Sequence, residues 1–434
     1  MHTRTNDRAW NLAPPQKKEP KNLSRMATEC CAAAAGGARC CPSASVASSS
    51  ASAESAYGAE PYNHGGALDI IAILQPDGSL LSSPFHVVFD SLPKSGPGRV
   101  AIQINGQPFE CSHELYASKA LEPAQFVGSA GAWKDDSPPP SVMQALAASQ
   151  LLQLGRNEVR YSIGESDTPA GHHGAICVRA FLYLWRHASP VVIFDIDGTV
   201  TLNDLAGQAA MIVDGSPTHP GVCELLCQLQ ARGYNVLYLT SRPLLGHCGI
   251  ERTRRFLFEV AVDTPSGHRM PPAGVLTTTH VATLQALTAE LSGASKAFKA
   301  NALKPIRDAF GVQAPASAEE RGGLFAGFGN REKDALAYLS AGVPPERIFL
   351  VEPSSKIVGR AAVIALPTHM GDSVPTPQRR TWESYATMLA SLDELFPSRR
   401  GTRGDQEATI PLPAAPAAID RDGRVPTDAV PFLM

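Results

Sequence analysis

The chain has 434 residues, with 38 Lys and Arg against 41 Asp and Glu, for a formal net charge of −3. That length holds two ordinary domains plus tails, and the 44% apolar content supports a sizeable core. The near-neutral balance gives no case for nucleic acid as a partner, and no apolar run approaches the roughly 20 residues a membrane helix needs, so contact with a bilayer is expected to be peripheral. The nine cysteines are an odd number, scattered and without paired C-x-x-C sites, so a zinc site is not expected and buried thiols in a reducing compartment are.

Residues 1–64 read as a disordered tail, small-residue-rich and mildly basic, with seven Lys/Arg against three Asp/Glu through Cys41. The segment cannot bury enough apolar area to offset its ordering entropy. Its Ser and Arg content also suits a transit peptide. The pairs Cys30-Cys31 and Cys40-Cys41 are candidates for reversible acylation. Strand-like patterning begins at residue 65. "ALDIIAILQPDGSLLSSPFHVVFDSL" holds two β-rich runs around a Pro76-Asp77-Gly78 turn. "RVAIQING" adds a third run, alternating at Val100, Ile102 and Ile104 before an Asn105-Gly106 turn. Residues 112–144 look irregular, end near "SPPPS", and read as a linker. Over 145–189, "NEVRYSIG" and "AICVRAFLYLW" resume the alternation. The strands of 65–111 and 145–189 are expected to form one antiparallel, immunoglobulin-like β-sandwich.

From residue 190 to 397 strands alternate with helices. "VVIFD" is followed by a helix from about Gly221 to Arg232, ended by Gly233, and then by strand "NVLYLT". Next come a helix near Glu251–Val260, a helix near Ser295–Phe310, strand "LFAGFG", helix "EKDALAYLSAG" and strand "RIFLV". This alternation predicts an α/β domain: a mostly parallel, Rossmann-like sheet with helices on both faces and its site at the carboxyl ends of the strands. Residues 398–434 read as a second disordered tail.

Those strand ends carry the chemistry. Asp195 and Asp197 follow the first strand, with Gly198 and Thr199 after them; Thr240, Ser241 and Arg242 close the second. Lys299 stands at the start of "FKANALKPIRDAF", and Asn330, Arg331 and Asp334 lie in "GNREKD". Asp195, Asp197 and Asp334 in one crevice would repel unless a cation sits among them. Hard oxygen ligands with room for water suit Mg²⁺. Carboxylates, a divalent ion, a lysine and a hydroxyl make a phosphoryl-transfer set, and Gly198 allows backbone amides to face a phosphate. An EF-hand reading fails, because Val200 and Ala206 stand where that loop needs Gly and Glu. Asp204 suits a helix N-cap, and His219 in "THPG" a cap or turn.

The order of these blocks resembles the haloacid dehalogenase superfamily. "DIDGTVTLNDLAGQ", "GYNVLYLTSR", "FKANALKPIRDAF", "FGNREKDALAYLSAGVPPERIFLVEP" and "SYATMLASLDELFP" are similar to the carboxy-terminal region of lipins, the soluble phosphatidate phosphatases. The stretches over 65–111 resemble the lipin amino-terminal region. The resemblance implies Mg²⁺-dependent hydrolysis of phosphatidic acid to diacylglycerol. Asp195 is then the nucleophile and Asp197 the acid and base. Asp195, the Asp197 carbonyl, Asn330 and Asp334 bind the metal, Thr240 takes a phosphate oxygen and Lys299 balances charge. Thr199 orients the loop, while Gly198, Ser241, Arg242 and Arg331 lie toward the substrate; Arg242 and Arg331 suit a lipid headgroup or a core carboxylate. It implies a cytoplasmic enzyme bound peripherally to endoplasmic reticulum, with the nucleus as a second compartment. Two other classes fit some of the residues: a non-catalytic phosphatidate-binding module, which typically lacks the first aspartate, and a phosphatase of small soluble esters, which would not need the strand-rich amino-terminal region. The amphipathic amino-terminal helix and long regulatory segment of many lipins have no counterpart here, leaving the basic tail, acylated cysteines or apolar loops to reach a bilayer.

Overall fold

The computed structural model describes residues 64–128, 134–164, 176–202, 217–246, 249–263, 266–279, 294–311, 322–359 and 380–399. The tails read at 1–64 and 398–434 fall outside these, apart from His64, Ser398 and Arg399, as do Asp204, Cys248 and the two cysteine pairs. Cys111, Cys177, Cys223 and Cys227 are free thiols. Among the described residues no helix is long and apolar enough to cross a membrane.

In chain order the first half carries β1 (Gly65–Ala67), β2 (Ile70–Leu74), β3 (Leu80–Ser82), β4 (Val87–Phe89), β5 (Gly98–Ile104) and β6 (Gln107–Phe109). It continues with β7 (Glu114–Ala117), β8 (Gln125–Val127), β9 (Lys134–Asp135), α1 (Pro140–Ala148), β10 (Gly155–Ile163) and β11 (Ile176–Arg186). β1 pairs with β4, and the other strands form a sheet in the order β3-β2-β11-β10-β5-β7-β8-β9, with β6 also on β5. Asn105 and Gly106 both have positive φ, 50° and 78°, as the two-residue turn between β5 and β6 demands.

Two expectations need correction. The sheet is mixed, because β2 runs parallel to β11 (Leu182 opposite Ile70). A long intervening stretch permits the crossover that a parallel pair requires. Residues 112–144 are also not a bare linker. They contribute β7, β8 and β9 to the same sheet, and Pro140 sits at the first turn of α1. These strands are too short for their alternation to stand out, although Leu115 and Ala117 are buried between exposed Glu114 and Tyr116. The prolines that suggested a linker start a helix, where a missing N–H costs nothing.

The second half carries β12 (Pro190–Phe194), α2 (Val222–Ala231), β13 (Asn235–Leu239), α3 (Ile250–Arg255, continued by a π-helical turn through Val260) and β14 (Gly274–Leu276). After them come α4 (Ala294–Phe310), β15 (Gly323–Gly329), α5 (Glu332–Ser340), β16 (Ile348–Val351), β17 (Ile357–Gly359), β18 (Thr381–Trp382), α6 (Tyr385–Met388) and α7 (Leu392–Leu395). The sheet order is β14-β13-β12-β15-β16-β17-β18. The first five strands are parallel and the last two run antiparallel at one edge. Strand order reverses at β12, and a crevice opens at the carboxyl end of such a switch point.

All five β12 residues are buried, because both faces of the strand are covered. Val192 and Phe194 pack with Leu225, Leu226, Val236 and Leu257 on one face. Val191 and Ile193 pack on the other with Leu303, Ile306, Ala335 and Tyr338. That second cluster also includes Ile71, Ile73, Phe181, Tyr183 and Trp185, so β2 and β11 of the first sheet share its core. A buried ion pair spans the same boundary. Asp69, ahead of β2, meets Arg254 of α3, and both side chains are 0% exposed. Asp69 also accepts from the Val275 amide at 2.8 Å and the Phe181 amide at 2.9 Å. Burial raises the Asp69 pKa against the pull of Arg254. Residues near 69, 181, 254 and 275 are thus tied together by one carboxylate.

Candidate active site

The loop after β12 is wound around a single carbonyl. The Asp195 amide donates to Phe328 O at 3.0 Å, which extends the β12–β15 ladder by one residue. Ile196 O then accepts from the amides of Val200 at 2.9 Å and Thr201 at 3.0 Å, and from the Thr201 hydroxyl at 3.3 Å. The Gly198 amide in turn donates to Thr201 Oγ1 at 3.2 Å. Turning back so sharply puts Gly198 at φ 77°, a conformation that disfavours a side chain. Thr199 is fully buried, with its Oγ1 3.5 Å from Asp195 Oδ2.

Lys299 sits between two carboxylates. Its Nζ donates to Asp195 Oδ1 at 2.6 Å and to Asp334 Oδ1 at 2.7 Å, and the lysine is 2% exposed. α4 begins at Ala294, so Lys299 lies in its second turn rather than at its start. Asp334 is in the first turn of α5 and accepts the Arg331 amide on Oδ2 at 3.0 Å. Gly329 is needed for this approach, since a Cβ there would fall 2.5 Å from Asp334 Cβ. Burial alone would lower the Lys299 pKa, but the charges of Asp195 and Asp334 raise it on balance, and the ammonium stays charged. One ammonium cannot satisfy two buried carboxylates. Burial pushes the Asp195 carboxyl up to about 7 against the pull of Lys299, with Asp334 and Asp197 pushing the same way.

Asp197 faces elsewhere. Arg242 grips it with two bonds, Nη2 to Oδ1 at 2.7 Å and Nε to Oδ2 at 3.1 Å, and Thr240 Oγ1 adds a third at 3.1 Å. Arg242 lies over the Phe256 ring, 5.6 Å from its centroid, and is 7% exposed. Of the two readings for Arg242, headgroup contact or pairing with a carboxylate, the structure shows the pairing. Thr240 has its amide on Leu276 O and its hydroxyl on Asp197.

The structure therefore gathers Asp195, Asp197, Gly198, Thr199, Thr240, Arg242, Lys299 and Asp334 at the carboxyl ends of the central strands. Ser241 and Asn330 are half-buried beside them, without a side-chain hydrogen bond to the cluster among the described residues. Arg331 contributes its backbone amide. Three carboxylates stand against two cations, an excess of negative charge. The donors not already engaged are oxygens, as a hard cation requires. Among the described residues no group of three or more His, Cys, Asp or Glu side chains converges as a metal site. A cation here would be held by two carboxylates, Asp195 and Asp334, completed by neutral oxygens, because Arg242 and Thr240 occupy the Asp197 carboxylate.

His219 is a buried turn residue: its amide donates to Val200 O at 3.0 Å, and its Nδ1 lies 2.9 Å from Ser355 Oγ. Sequence reasoning missed Tyr385, whose hydroxyl donates to Thr199 O at 3.0 Å from 186 residues away. No local pattern links the two positions; only the aromatic at the first turn of a capped helix hints at burial.

The chain matches the family model described as LNS2 (Lipin/Ned1/Smp2) over residues 141–397, more than half its length. It belongs to the LNS2 (Lipin/Ned1/Smp2) family. Residues 45–132 also match the model for the lipin N-terminal conserved region. Among curated relatives of this lipin family, the chain is 32% identical over 210 residues to "Phosphatidic acid phosphohydrolase 1" of Saccharomyces cerevisiae, covering 48% of this chain and 23% of the relative. It is 32% identical over 217 residues to "Nuclear elongation and deformation protein 1" of Schizosaccharomyces pombe, covering 49% and 30%. It is 29% identical over 245 residues to "Phosphatidate phosphatase PAH1" of Arabidopsis thaliana, covering 55% and 25%. The matched part thus spans less than a third of each of these lipin-family relatives.

Proposed function

We propose that the chain is a Mg²⁺-dependent phosphatidate phosphatase that releases phosphate and diacylglycerol through an aspartyl-phosphate. The observation that carries this reading is the Lys299 ammonium bridging Asp195 and Asp334 at the mouth of the central strands, 2.6 and 2.7 Å away. The names of the relatives from S. cerevisiae and A. thaliana support phosphatidate as the substrate. On this reading the parallel sheet is of haloacid dehalogenase type, and the first sheet with its β1–β4 companion is an immunoglobulin-like sandwich.

Asp195 Oδ2 attacks phosphorus in line with the diacylglycerol oxygen, so a P–O bond forms to the carboxylate as the P–O bond to the alcohol breaks. Asp197 gives its proton to the departing oxygen, then takes one from the water that cleaves the acyl phosphate and regenerates Asp195. Arg242 and Thr240 hold the Asp197 carboxylate to one side of the nucleophile. To carry that proton Asp197 must part from the Arg242 guanidinium, which only donates hydrogen bonds and so holds the carboxylate in its resting place. Lys299 keeps Asp195 and Asp334 in register and offsets charge on the phosphoryl group. Asp195, the Asp197 carbonyl, Asn330 and Asp334 would hold Mg²⁺, which when bound neutralises charge on the phosphoryl oxygens. Gly198 and Thr199 present the loop to the phosphate, with Ser241 and Arg331 at its rim. The enzyme would work at the cytoplasmic face of the endoplasmic reticulum or nuclear membrane by peripheral contact.

The test is phosphate release from phosphatidate in mixed micelles, with and without Mg²⁺, beside a soluble phosphomonoester. Mg²⁺-dependent release from phosphatidate, well above that from the soluble ester, is expected. Binding of phosphatidate without turnover would make the protein a lipid-binding module instead. Faster turnover of the soluble ester would make it a general phosphatase.

A further inference from the structure

We propose that Tyr385 is a positioning residue for the nucleophile loop: its phenol holds the Thr199 carbonyl and so fixes the peptide planes between Asp195 and Thr201. The consequence for turnover rests on the phosphatase reading above; the consequence for loop rigidity does not.

Three parts of the geometry carry this. First, the hydrogen bonds within the loop converge on Ile196 O and Thr201 Oγ1, and Thr199 O takes no part in that knot. Its partner among the described residues is the Tyr385 hydroxyl at 3.0 Å, and both residues are 0% exposed. Water cannot replace the bond, so without the phenol a carbonyl is buried unsatisfied. Second, the Tyr385 ring is held by packing and helix contacts that do not pass through Thr199. It sits among Phe194, Phe328 and His219, with centroids 6.4, 5.9 and 6.2 Å away. Its helix α6 is capped by Ser384, which accepts the Thr387 amide at 3.3 Å and donates its own amide to Thr387 Oγ1 at 3.0 Å. The next residue, Ala386, donates its amide to Pro220 O at 3.2 Å, at a site where a Cβ on Gly221 would lie 2.5 Å from that same nitrogen. A donor held this firmly dictates where the carbonyl must be, rather than following it. Third, the peptide it pins belongs to Thr199, whose hydroxyl faces Asp195 Oδ2, the oxygen Lys299 leaves for attack.

Tyr385→Phe keeps the ring and removes only the oxygen. The inference predicts that kcat for phosphatidate falls by about 10- to 100-fold, with KM within about two-fold, because small misplacement of reacting groups has that effect. It also predicts that the amides of Val200 and Thr201 exchange hydrogen faster while those of α2 do not. Phe396→Leu, in the same aromatic cluster but with no hydrogen bond to the loop, should lower the melting temperature and leave both readouts unchanged. Should Tyr385→Phe fail to fold, Ser384→Ala loosens the helix that carries the phenol and should show the same loop-specific exchange in weaker form. Wild-type kcat together with wild-type loop exchange in folded Tyr385→Phe, or wild-type loop exchange in Ser384→Ala where Tyr385→Phe does not fold, would overturn the inference. Faster loop exchange in a protein whose wild type turns over no phosphatidate would uphold the positioning role and remove the phosphatase reading.

Discussion

Replacing Lys299 with methionine tests the electrostatics of the site without changing its shape. The ammonium is 2% exposed and lies 2.6 Å from Asp195 and 2.7 Å from Asp334, whose side chains are 6% and 1% exposed. Lys299→Met leaves two carboxylates face to face in a dry environment with no counter-charge. Removing one partner of a buried ion pair costs about 3–5 kcal/mol, which corresponds to a drop in melting temperature on the order of 10 °C for a domain of this size. The loss should depend on pH. Near pH 5 one proton shared between the carboxylates relieves the repulsion, so the variant should approach wild type; near pH 8 the deficit should be fullest. Mg²⁺ at millimolar concentration should recover part of the deficit at pH 8, by supplying the missing positive charge to the same oxygens. Thermal unfolding at both pH values, with and without Mg²⁺, reads all of this. A variant as stable as wild type at pH 8, or one equally destabilised at both pH values, would refute the reasoning.

Asp195→Asn should gain stability relative to wild type as pH rises in the absence of Mg²⁺. The folded-state pKa of Asp195 is raised from 3.8 to about 7. Its contribution is therefore fully present below about pH 4 and is lost as pH rises through about 7, a change on the order of 4 kcal/mol. Urea unfolding of both proteins at pH 4 and pH 8 would show it, and a constant difference would contradict it. Arg242→Met should fold but release phosphate about 10- to 100-fold more slowly, since Asp197 keeps only the Thr240 hydroxyl and general acid–base catalysis depends on its placement; unchanged kcat would dissociate Arg242 from the chemistry. Asp69→Asn removes the fully buried carboxylate from Arg254, leaving that guanidinium to Glu251 and the Ala67 carbonyl, and should destabilise the fold by about 3 kcal/mol in chemical denaturation. An effect within experimental error would mean the pair does not tie the two sheets together.

Much of the site is legible in the sequence because it sits at strand ends. The run Val191–Phe194 requires a strand buried on both faces, and Asp195 and Asp197 can only follow it into a crevice. Thr240 and Asp334 reach the same place because each follows a strand of an alternating α/β pattern, and Lys299 reaches it from the second turn of α4. Pairings chosen by tertiary contact are not legible. Nothing local tells Arg242 to grip Asp197 rather than a substrate, or tells Tyr385 to reach Thr199. The parallel pairing of β2 with β11 is equally silent, since alternation reports which face is buried and not which neighbour runs alongside. Residues 112–144 were obscured by a different cause: strands of two to four residues carry too few positions for a period, and Pro140 serves a helix start as readily as a linker.

The account stands on Asp195 as the atom that takes the phosphate. Acid quench of the protein during turnover of phosphate-labelled phosphatidate in the presence of Mg²⁺, followed by peptide mapping, measures this directly. Label on the peptide that contains Asp195, absent from Asp195→Asn together with phosphate release, is the predicted result. Rapid phosphate release by Asp195→Asn, with no labelled peptide from the wild type, would contradict it.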